Sequence, residues 1–485
     1  MLANWTTWAG WWVAVGLPLL HVFGALSAID AVMKARTPQG ASAWALALVL
    51  MPTLALPLYW VFGRSHFEDY VEALRVFDDE VEKNLDQIQQ ALSPWAVPPE
   101  AADDPRTETE LRGFAQLARL PVLKGNALRL LVDGEATFES LFETIDGAEE
   151  YLLVQFYIVH DDQVGRAFKA RLRAAAERGV RVYFLYDEVG SHALPGAFLR
   201  ELRDAGAQVS AFSGERSWLG RFRLNFRNHR KIVVADGRVG LVGGLNVGDE
   251  YLGHDPRLSP WRDTHLRVEG PAVVGLQYSF VRDWYYGQGH APAVSWDLQV
   301  SERDQHALIL ASGPADRLET CGLLYAQAID AAEERIWIAS PYFVPDGRIL
   351  GALQTAALRG VEVRILMPRN SDSLLFKWVP YVSLSEIERV GVEVYLYDEG
   401  FMHQKVVLVD HAYAGVGSAN FDNRSFRLNF EVTCLAHDET FCREVEEMLE
   451  ADFERSTRVT EKDLLEKSFW FRLAAQGTRL LAPIL

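Results

Sequence analysis

The sequence predicts an α/β protein with two similar halves that pair about a pseudo-twofold axis, preceded by a two-helix transmembrane hairpin. Three observations predict this fold. Two long runs near the N-terminus carry no charged side chain. Along the rest of the chain, short apolar strands alternate with helices, which favours helices packed on a sheet. Several of these segments then occur a second time in the same order, which indicates a duplication.

Length and composition narrow the class of protein. At roughly 150 residues per domain, 485 residues suggest about three domains. The formal net charge of −18 argues against a nucleic-acid partner, because phosphate binding depends on Lys and Arg. Three cysteines are too few, and odd in number, for a disulfide framework. Cys434 and Cys442 lack the spacing of zinc ligands, so we expect them to be buried apolar residues.

Residues 1–64 form the predicted transmembrane hairpin. Trp5–Ile29, with His21 counted as neutral, and Ala41–Phe62 are uncharged, and each exceeds the roughly 20 apolar residues that cross a bilayer. A cleaved signal peptide fits poorly, since no basic region precedes the first run and a second run follows at once. Two buried helices of a soluble protein are the other alternative. Basic residues flank both runs, so the side of the membrane that holds the rest of the chain stays open.

Beyond the hairpin, residues 65–120 are predicted to form an amphipathic juxtamembrane helix and a linker. Apolar positions recur there at helical spacing until a Pro-rich and then acidic stretch begins. The two halves follow at residues 121–300 and 301–460. Residues 461–485 are apolar with interspersed basic residues and too short to span a bilayer, so we expect an interfacial tail.

The duplication is visible in two pairs of segments. Ile145–Val154 matches Ile329–Ile338, and Ala174–Val182 matches Thr355–Val363. In each half a helix leads into an apolar strand, and a second helix ends in Arg-Gly before another strand. The glycine of each Arg-Gly pair stands where a helix C-cap falls.

Both halves contain one nine-residue pattern, Asn228–Asp236 and Met402–Asp410, with the spacing H-x-K-x4-D. A His and a Lys two residues apart share one face of a strand. Imidazole can attack phosphorus or move protons, and an ammonium group can neutralise phosphoryl oxygens, which indicates phosphodiester chemistry. With two copies, one histidine attacks while the other protonates the leaving alcohol. The six motif residues are His229, Lys231, Asp236, His403, Lys405 and Asp410.

A Gly-rich turn follows each motif, at Gly243–Asn246 and Gly417–Asn420. Asn246 and Asn420 offer hydrogen-bond donors to a phosphate. Together with the lysines, they supply what a metal would otherwise give. Because neither motif carries a further His/Asp/Glu cluster, we expect no metal and no cofactor.

The duplicated motif with its Gly-Gly/Ser-x-Asn turn resembles the phospholipase D superfamily, and the whole layout resembles bacterial cardiolipin synthases with an N-terminal membrane hairpin. Val122–Asn126, Ser340–Pro345 and Asn429–Glu431 also carry the resemblance. It implies two phospholipase D-like halves and condensation of two phosphatidylglycerols to cardiolipin and glycerol through a phosphohistidine. It further implies a multi-pass protein of the bacterial inner membrane, with phosphatidylglycerol and cardiolipin as partners, and leaves room for a homo-oligomer.

Carried over residue by residue, the essential set of the family falls on the six motif residues. Gly244 replaces the commoner Ser, which Ser418 keeps in the second copy, and we expect this to remove one hydroxyl contact to phosphate. Asp263 and Glu431 are the acidic residues that the resemblance implies for orienting the neighbouring histidine. The near-symmetric repeat leaves open which histidine attacks, and analogy with the superfamily favours His229.

Other segments suit a lipid substrate. Basic residues from Arg216 to Lys231 alternate with aromatic ones, as at a headgroup interface, although a solvated strand edge is the alternative. Leu374–Tyr381 fits either an acyl-chain entrance or a core helix. The alternative functions are a hydrolytic phospholipase D, a phosphatidyltransferase with another phospholipid partner, a nuclease and a non-catalytic scaffold. Charge and hairpin argue against the nuclease, and two intact motifs argue against the scaffold.

Overall fold

The computed structural model describes residues 12–35, 37–63, 67, 69–75, 88, 90–102, 104–212, 226–370, 378, 381 and 384–478. The chain divides into two compact units, one of residues 1–71 with 217–226 and the other of residues 72–216 with 227–485. Most of the predicted juxtamembrane helix, of the basic stretch before Phe226 and of Leu374–Tyr381 lies outside the described residues.

The first apolar run forms one long helix. A π-helical turn at Trp12–Gly16 continues into α1 (Leu17–Lys34). Among the described residues, the segment Ala14–Lys34 is the one helix long and apolar enough to cross a membrane. A Cβ on Gly24 would lie 2.3 Å from the carbonyl oxygen of Leu48, so the next helix packs closely on α1 at this glycine.

The second apolar run is divided between two helices. α2 (Pro38–Leu50) ends at Met51, and α3 (Pro52–Leu58) begins at the proline that follows. Met51 has φ −136° and ψ 55°, because a residue before proline is disfavoured in the helical region. The 13 residues of α2 reach about 20 Å, less than the roughly 30 Å of a bilayer core. The run expected to be a second span is therefore not one continuous helix.

The larger unit carries the duplicated α/β fold. The strands of its first half are β1 (Leu123–Val132), β2 (Tyr151–Phe156), β3 (Arg181–Tyr186), β4 (Gln208–Ala211), β5 (Arg227–Asn228), β6 (Ile232–Ala235), β7 (Val239–Gly243), β8 (Trp261–Arg262) and β9 (Thr264–Glu269). The strands of its second half are β10 (Gln305–Ser312), β11 (Arg335–Ala339), β12 (Phe343–Val344), β13 (Glu362–Pro368), β14 (Glu393–Tyr397), β15 (Phe401–Met402), β16 (Val406–Val409), β17 (Tyr413–Gly417), β18 (Phe421–Asp422), β19 (Asn429–Ala436) and β20 (Ser456–Val459).

One mixed sheet joins the two halves. From its centre, the first half runs β1-β9-β7-β6-β2-β3-β4 and the second runs β10-β19-β17-β16-β11-β13-β14. Corresponding strands thus lie equally far from the central antiparallel pair, β1 and β10. A pseudo-twofold axis between these two strands produces this order, and the predicted α/β fold with two halves is confirmed.

Helices cover the sheet, and each half has its own core. The helices of this unit are α4 (Pro105–Ala118), α5 (Asp133–Asp146), α6 (Gln163–Glu177), α7 (Gly196–Asp204), α8 (Val273–Gln288), α9 (Thr320–Ala331), α10 (Gly347–Leu358), α11 (Leu384–Glu388), α12 (Asn423–Arg427), α13 (Glu439–Glu454), α14 (Glu461–Leu465) and α15 (Phe469–Thr478). The glycines after α6 and α10, Gly179 and Gly360, have φ of 95° and 94°, as expected for C-caps. Cys434 and Cys442 are buried free thiols, as predicted.

Candidate active site

The first motif lies between β5 and β6, and its residues alternate between two faces. Asn228 and Arg230 point to the rear, where both bind the carboxylate of Asp283 in α8. Arg230 Nη1 lies 2.7 Å from Oδ1, and Asn228 Nδ2 lies 2.8 Å from Oδ2. His229 and Lys231 therefore share the opposite face, as their spacing predicts.

The second motif is anchored in the same way. Gln404, which separates His403 from Lys405, donates its amide to Asp452 in α13 at 2.8 Å. Arg262 also binds Asp452, at 2.8 and 2.7 Å. An acid on the last helix of each half thus fixes the rear of each motif, which leaves the histidine and the lysine on the face of the site.

The histidine of the first motif is oriented by an acid of the second half. His229 Nδ1 lies 3.0 and 3.1 Å from the carboxylate oxygens of Glu431. Ser418 Oγ and Asn429 Nδ2 donate to the same carboxylate at 2.6 and 3.1 Å. With Nδ1 occupied, the tautomer and the ring orientation are fixed, and Nε2 is the nitrogen left for chemistry.

The histidine of the second motif is oriented by an acid of the first half. His403 Nδ1 lies 2.8 Å from Asp263 Oδ2, and the Thr264 backbone N–H donates to Oδ1 at 2.8 Å. Trp261 packs against His403 with ring centroids 5.1 Å apart. Each acidic residue thus binds the histidine of the other half rather than that of its own.

Short strand pairs between the halves produce this crossing. β5 pairs with β19, and the His229 backbone N–H donates to the Phe430 carbonyl at 2.9 Å. β15 pairs with β8, and the His403 backbone N–H donates to the Arg262 carbonyl at 2.7 Å. The residue after each of these carbonyls is the orienting acid, so one backbone hydrogen bond aligns each carboxylate with its histidine.

The two lysines are buried beside the histidines. Lys231 Nζ lies 2.5 Å from the His229 carbonyl oxygen. Lys405 Nζ lies 2.8 Å from His403 Nδ1 and 3.1 Å from Nε2. Burial lowers the pKa of Lys231 well below its ordinary value. A bound phosphate anion would favour the charged lysine and be neutralised by it.

Burial also keeps the imidazoles neutral. It lowers the pKa of His403 to about 4, with Lys405 acting in the same direction and Asp263 against it. Burial likewise lowers the pKa of His229, partly offset by Glu431. Burial alone would raise the pKa of Glu431, but His229 and Lys231 outweigh it and hold that pKa below the usual value. The site therefore pairs a carboxylate with a neutral histidine in each half.

The motif aspartates lie at the far end of β6 and β16. Asp236 accepts the backbone N–H groups of residues 149, 150 and 151 at 2.9, 2.8 and 2.8 Å. Asp410 accepts those of residues 333, 334 and 335 at 2.9, 2.9 and 2.7 Å. At about 3.3 Å per strand residue, they are remote from the histidines. In this placement both aspartates bind the backbone just before or at the start of β2 and β11, and a part in catalysis stays a prediction.

The asparagines of the two Gly-rich turns have different hydrogen-bond partners. Asn246 accepts from the Ile158 N–H at 3.1 Å and donates to Tyr251 at 3.1 Å. Asn420 Nδ2 donates to Asp422 at 3.2 Å. Each amide NH₂ group thus donates one hydrogen bond within the protein, and its contact with a phosphate stays a prediction.

Gly244 and Ser418 occupy corresponding positions with different consequences. The Ser418 hydroxyl donates to Glu431 and so supports the carboxylate that orients His229. A Cβ on Gly244 would lie 2.1 Å from Asp263 Oδ1. Glycine at this position therefore makes room for the acid that orients His403.

Sequence reasoning missed two tyrosines and one arginine at the site. The ring centroid of Tyr157 lies 5.1 Å from that of His229, and that of Tyr342 lies 6.5 Å from that of His403. The signal was present, since each tyrosine follows an apolar strand of the repeat. Arg424 lies in α12, whereas the segment that follows the Gly-rich turn of the first half forms a 3₁₀ turn at Asp249–Leu252. Within the described ranges there is no cluster of three His, Cys, Asp or Glu residues that could hold a metal.

Two histidine–lysine pairs, each histidine oriented by a carboxylate, on a duplicated α/β fold define an enzyme of the phospholipase D type. The family model "Cardiolipin synthase, PLD-like domain" matches residues 141–256 and 325–453, and "Phospholipase_D-nuclease N-terminal" matches residues 22–64. The chain belongs to the cardiolipin synthase family.

Named relatives and solved structures agree with this assignment. Cardiolipin synthase A of Pseudomonas fluorescens is 46% identical over 97% of this chain and 98% of the relative. The protein of that name from Pseudomonas syringae pv. syringae is 45% identical over 97% and 98%. The crystal structure of phosphatidylserine synthase from Haemophilus influenzae Rd KW20 has a TM-score of 0.59 at 15% identity, covering 78% of this chain and 100% of that chain. At this identity the likeness shows the fold alone.

Proposed function

We propose that this protein is a cardiolipin synthase, which transfers the phosphatidyl group of one phosphatidylglycerol to a second and releases glycerol. The crossed pairs His229–Glu431 and His403–Asp263, at 3.0 and 2.8 Å, carry the proposal. They supply the two histidines that a double displacement at phosphorus requires. The relatives that cover nearly the full chain and bear this name support it.

The first displacement forms a phosphohistidine. Nε2 of one histidine attacks phosphorus, the P–O bond to the glycerol headgroup breaks, and the other histidine gives its proton to the departing oxygen. Lys231 and Lys405 neutralise the non-bridging oxygens as charge develops. The attacking histidine must be neutral, which its lowered pKa favours. The anionic substrate then favours imidazolium at the other histidine.

In the second displacement the proton moves from the acceptor to the histidine, and the P–N bond formed in the first step breaks. A hydroxyl of the second phosphatidylglycerol loses its proton to the histidine that protonated glycerol. The hydroxyl oxygen attacks phosphorus and the P–N bond breaks, which frees the attacking histidine and releases cardiolipin. Analogy with the superfamily favours His229 as the attacking residue, and the orientation of both histidines through Nδ1 is compatible with either assignment.

We further propose a multi-pass location in the bacterial inner membrane, with both apolar runs crossing. The surface of α15 supports contact with lipid, since Phe469 and Trp470 are 62% and 74% exposed. Thr37, between the runs, and Glu302, in the catalytic unit, would then lie on opposite sides. Impermeant maleimide should label T37C and E302C from opposite faces in spheroplasts and inverted vesicles. Labelling from the same face would contradict the second span.

Product analysis tests the activity. Purified protein with phosphatidylglycerol should yield cardiolipin and glycerol in equal amounts. Phosphatidic acid as the only lipid product would instead indicate a hydrolytic phospholipase D. Repeating the reaction with phosphatidylethanolamine added identifies the lipid that donates the phosphatidyl group. Release of glycerol alone indicates phosphatidylglycerol as the donor, whereas release of ethanolamine indicates phosphatidylethanolamine.

A further inference from the structure

Two buried arginines lie behind the catalytic histidines, and both belong to the first half. Arg230 is the middle residue of the first H-x-K pattern, and Arg262 directly precedes the orienting acid Asp263. Their side chains are 5% and 4% exposed. The corresponding residues of the second half are Gln404 and Phe430, which carry no charge. The two halves therefore differ in these arginines, although they share their histidines and lysines.

Arg230 joins the two halves directly behind His229. Its Nη1 binds both carboxylate oxygens of Asp283 in α8, at 2.7 and 2.8 Å. Its Nε donates to the Glu431 backbone carbonyl at 3.0 Å, and its Nη2 donates to the Ser312 carbonyl at 2.9 Å. Glu431 and Ser312 are directly paired residues of β19 and β10. One guanidinium group thus connects a helix of the first half to the strand that carries the orienting acid of His229.

Arg262 joins the two halves behind His403. Its Nε and Nη2 bind Asp452 of the second half at 2.8 and 2.7 Å. Its Nη1 donates to the backbone carbonyl of Asp263, the acid that orients His403, at 2.7 Å. The same Nη1 lies 3.1 Å from Asp133 Oδ1, which accepts the Asp263 N–H at 3.0 Å. The backbone of Asp263 is therefore held at both its N–H and its carbonyl.

In both places the guanidinium group binds the backbone of the orienting acid, and a carboxylate on a helix holds the guanidinium group. Arginine presents five N–H donors in one rigid plane, so a single side chain can hold several partners at fixed angles. We propose that Arg230 and Arg262 are positioning residues, each of which fixes the orienting carboxylate of one half-site. This inference rests on the proposed function. It assigns the alignment of both half-sites to side chains of the first half.

Release of glycerol from phosphatidylglycerol tests this role, because it reports the first displacement whichever acceptor completes the reaction. R230M/D283N removes one ion pair as a whole, so that no carboxylate stays buried without its partner. It should lower kcat about 10²-fold with little change in KM, since the orienting carboxylate shifts while the substrate contacts stay. This loss should almost vanish when E431Q is already present, and it should remain complete when D263N is present instead.

Three further variants complete the experiment. R262M/D452N should give the opposite pattern, with a complete loss beside E431Q and almost none beside D263N. R230K keeps a cation beside Asp283, but its single ammonium group cannot bind all partners of the guanidinium group, so it should fold and still lose turnover. R178M is the control, because Arg178 also donates to a backbone carbonyl, that of Asp146 at 3.0 Å, and should release glycerol at the wild-type rate.

Equal losses beside E431Q and D263N would overturn the inference, since the arginines would then act on the stability of the whole unit. Unchanged kcat in R230M/D283N, or wild-type turnover in R230K, would overturn it as well. A wild type that releases glycerol but makes only phosphatidic acid contradicts the proposed function instead. The two backgrounds can still be compared on that reaction, so the two failures are distinguishable.

Discussion

The His229 half-site and the His403 half-site share their chemistry and differ in what surrounds it. Each has a lysine two residues on and a carboxylate from the other half at Nδ1. Around His403 lie aromatic rings, with Phe401 and Trp261 centroids 5.7 and 5.1 Å from the imidazole. Around His229 lie Tyr157 and Arg227. The two half-sites therefore have the same histidine, lysine and carboxylate, whereas the side chains around each histidine differ.

Loss of either histidine should have the largest effect. H229A and H403A should each lower cardiolipin formation on the order of 10⁴-fold, because a double displacement needs both. The comparison is sharpened with a lipid that carries an activated leaving group, which needs no protonation. Only the variant that keeps the attacking histidine should then form a phosphohistidine, measured by mass spectrometry. Unchanged turnover in both variants would rule out the catalytic model.

Substitution of Glu431 or Asp263, the carboxylates that orient the histidines of the other half, should have the second-largest effect on turnover. E431Q and D263N keep the shape of each side chain but present an amide to Nδ1, which disfavours the required tautomer. Each should lower turnover on the order of 10³-fold with little change in KM. In the double variants E431Q/H229A and D263N/H403A, the second change should add almost nothing. Additive losses in these pairs, with non-additive losses in E431Q/H403A, would contradict the crossing.

The corresponding positions 244 and 418 should respond unequally. G244A places a methyl group against Asp263, where a Cβ would lie 2.1 Å from Oδ1, and displaces the acid from His403. We expect a fall in turnover of about 10²-fold. S418G removes one hydrogen bond to Glu431 and should cost about tenfold. Steady-state kinetics at saturating lipid measures both, and an equal loss in the two variants would break the proposed difference between half-sites.

Acid should destabilise the His403 half-site by a smaller amount. The pKa of His403 lies near 4 in the folded protein, below about 6.5 in an unfolded chain, so the unfolded state binds the proton first as pH falls. The stability that His403 contributes is full above pH 6.5 and is lost as pH falls towards 4, at no more than about 1.4 kcal/mol per pH unit. Thermal unfolding in detergent should therefore depend less on pH in H403Q than in the wild type. The exposed His192 provides the control variant, H192Q. A wild-type pH dependence in H403Q would contradict the assignment.

Much of this arrangement could be predicted from the sequence. The spacing of His229 and Lys231 placed them on one strand face, and the order of repeated helices and strands predicted two halves. Asp263 and Glu431 were identified as orienting acids through family resemblance. The crossing was out of reach, because it depends on which short strands pair between halves, and β5–β19 and β8–β15 are only two residues long each.

Two other features of the structure could not be derived from the sequence pattern alone. Asp236 and Asp410 belong to the repeated pattern, which suggested chemistry, yet each caps a turn with positive φ of 54° and 51°. Each aspartate lies five residues after the motif lysine, and on a strand this spacing already indicates a position far from the histidine. The second apolar run has the length of a span, but Met51–Pro52 interrupts its helix.

The exchange of carboxylates between halves bears on the origin of the chain. In a symmetric homodimer, each subunit can lend an acid to the other, and the interface contains every contact twice. The pairs His229–Glu431 and His403–Asp263 repeat that pattern within one polypeptide. The catalytic unit is thus the covalent form of a dimer, and neither half can lose its acid without silencing the histidine of its twin. Because both copies lie in one polypeptide, they need not be identical, and Arg227 and Phe401 occupy corresponding positions in the two halves.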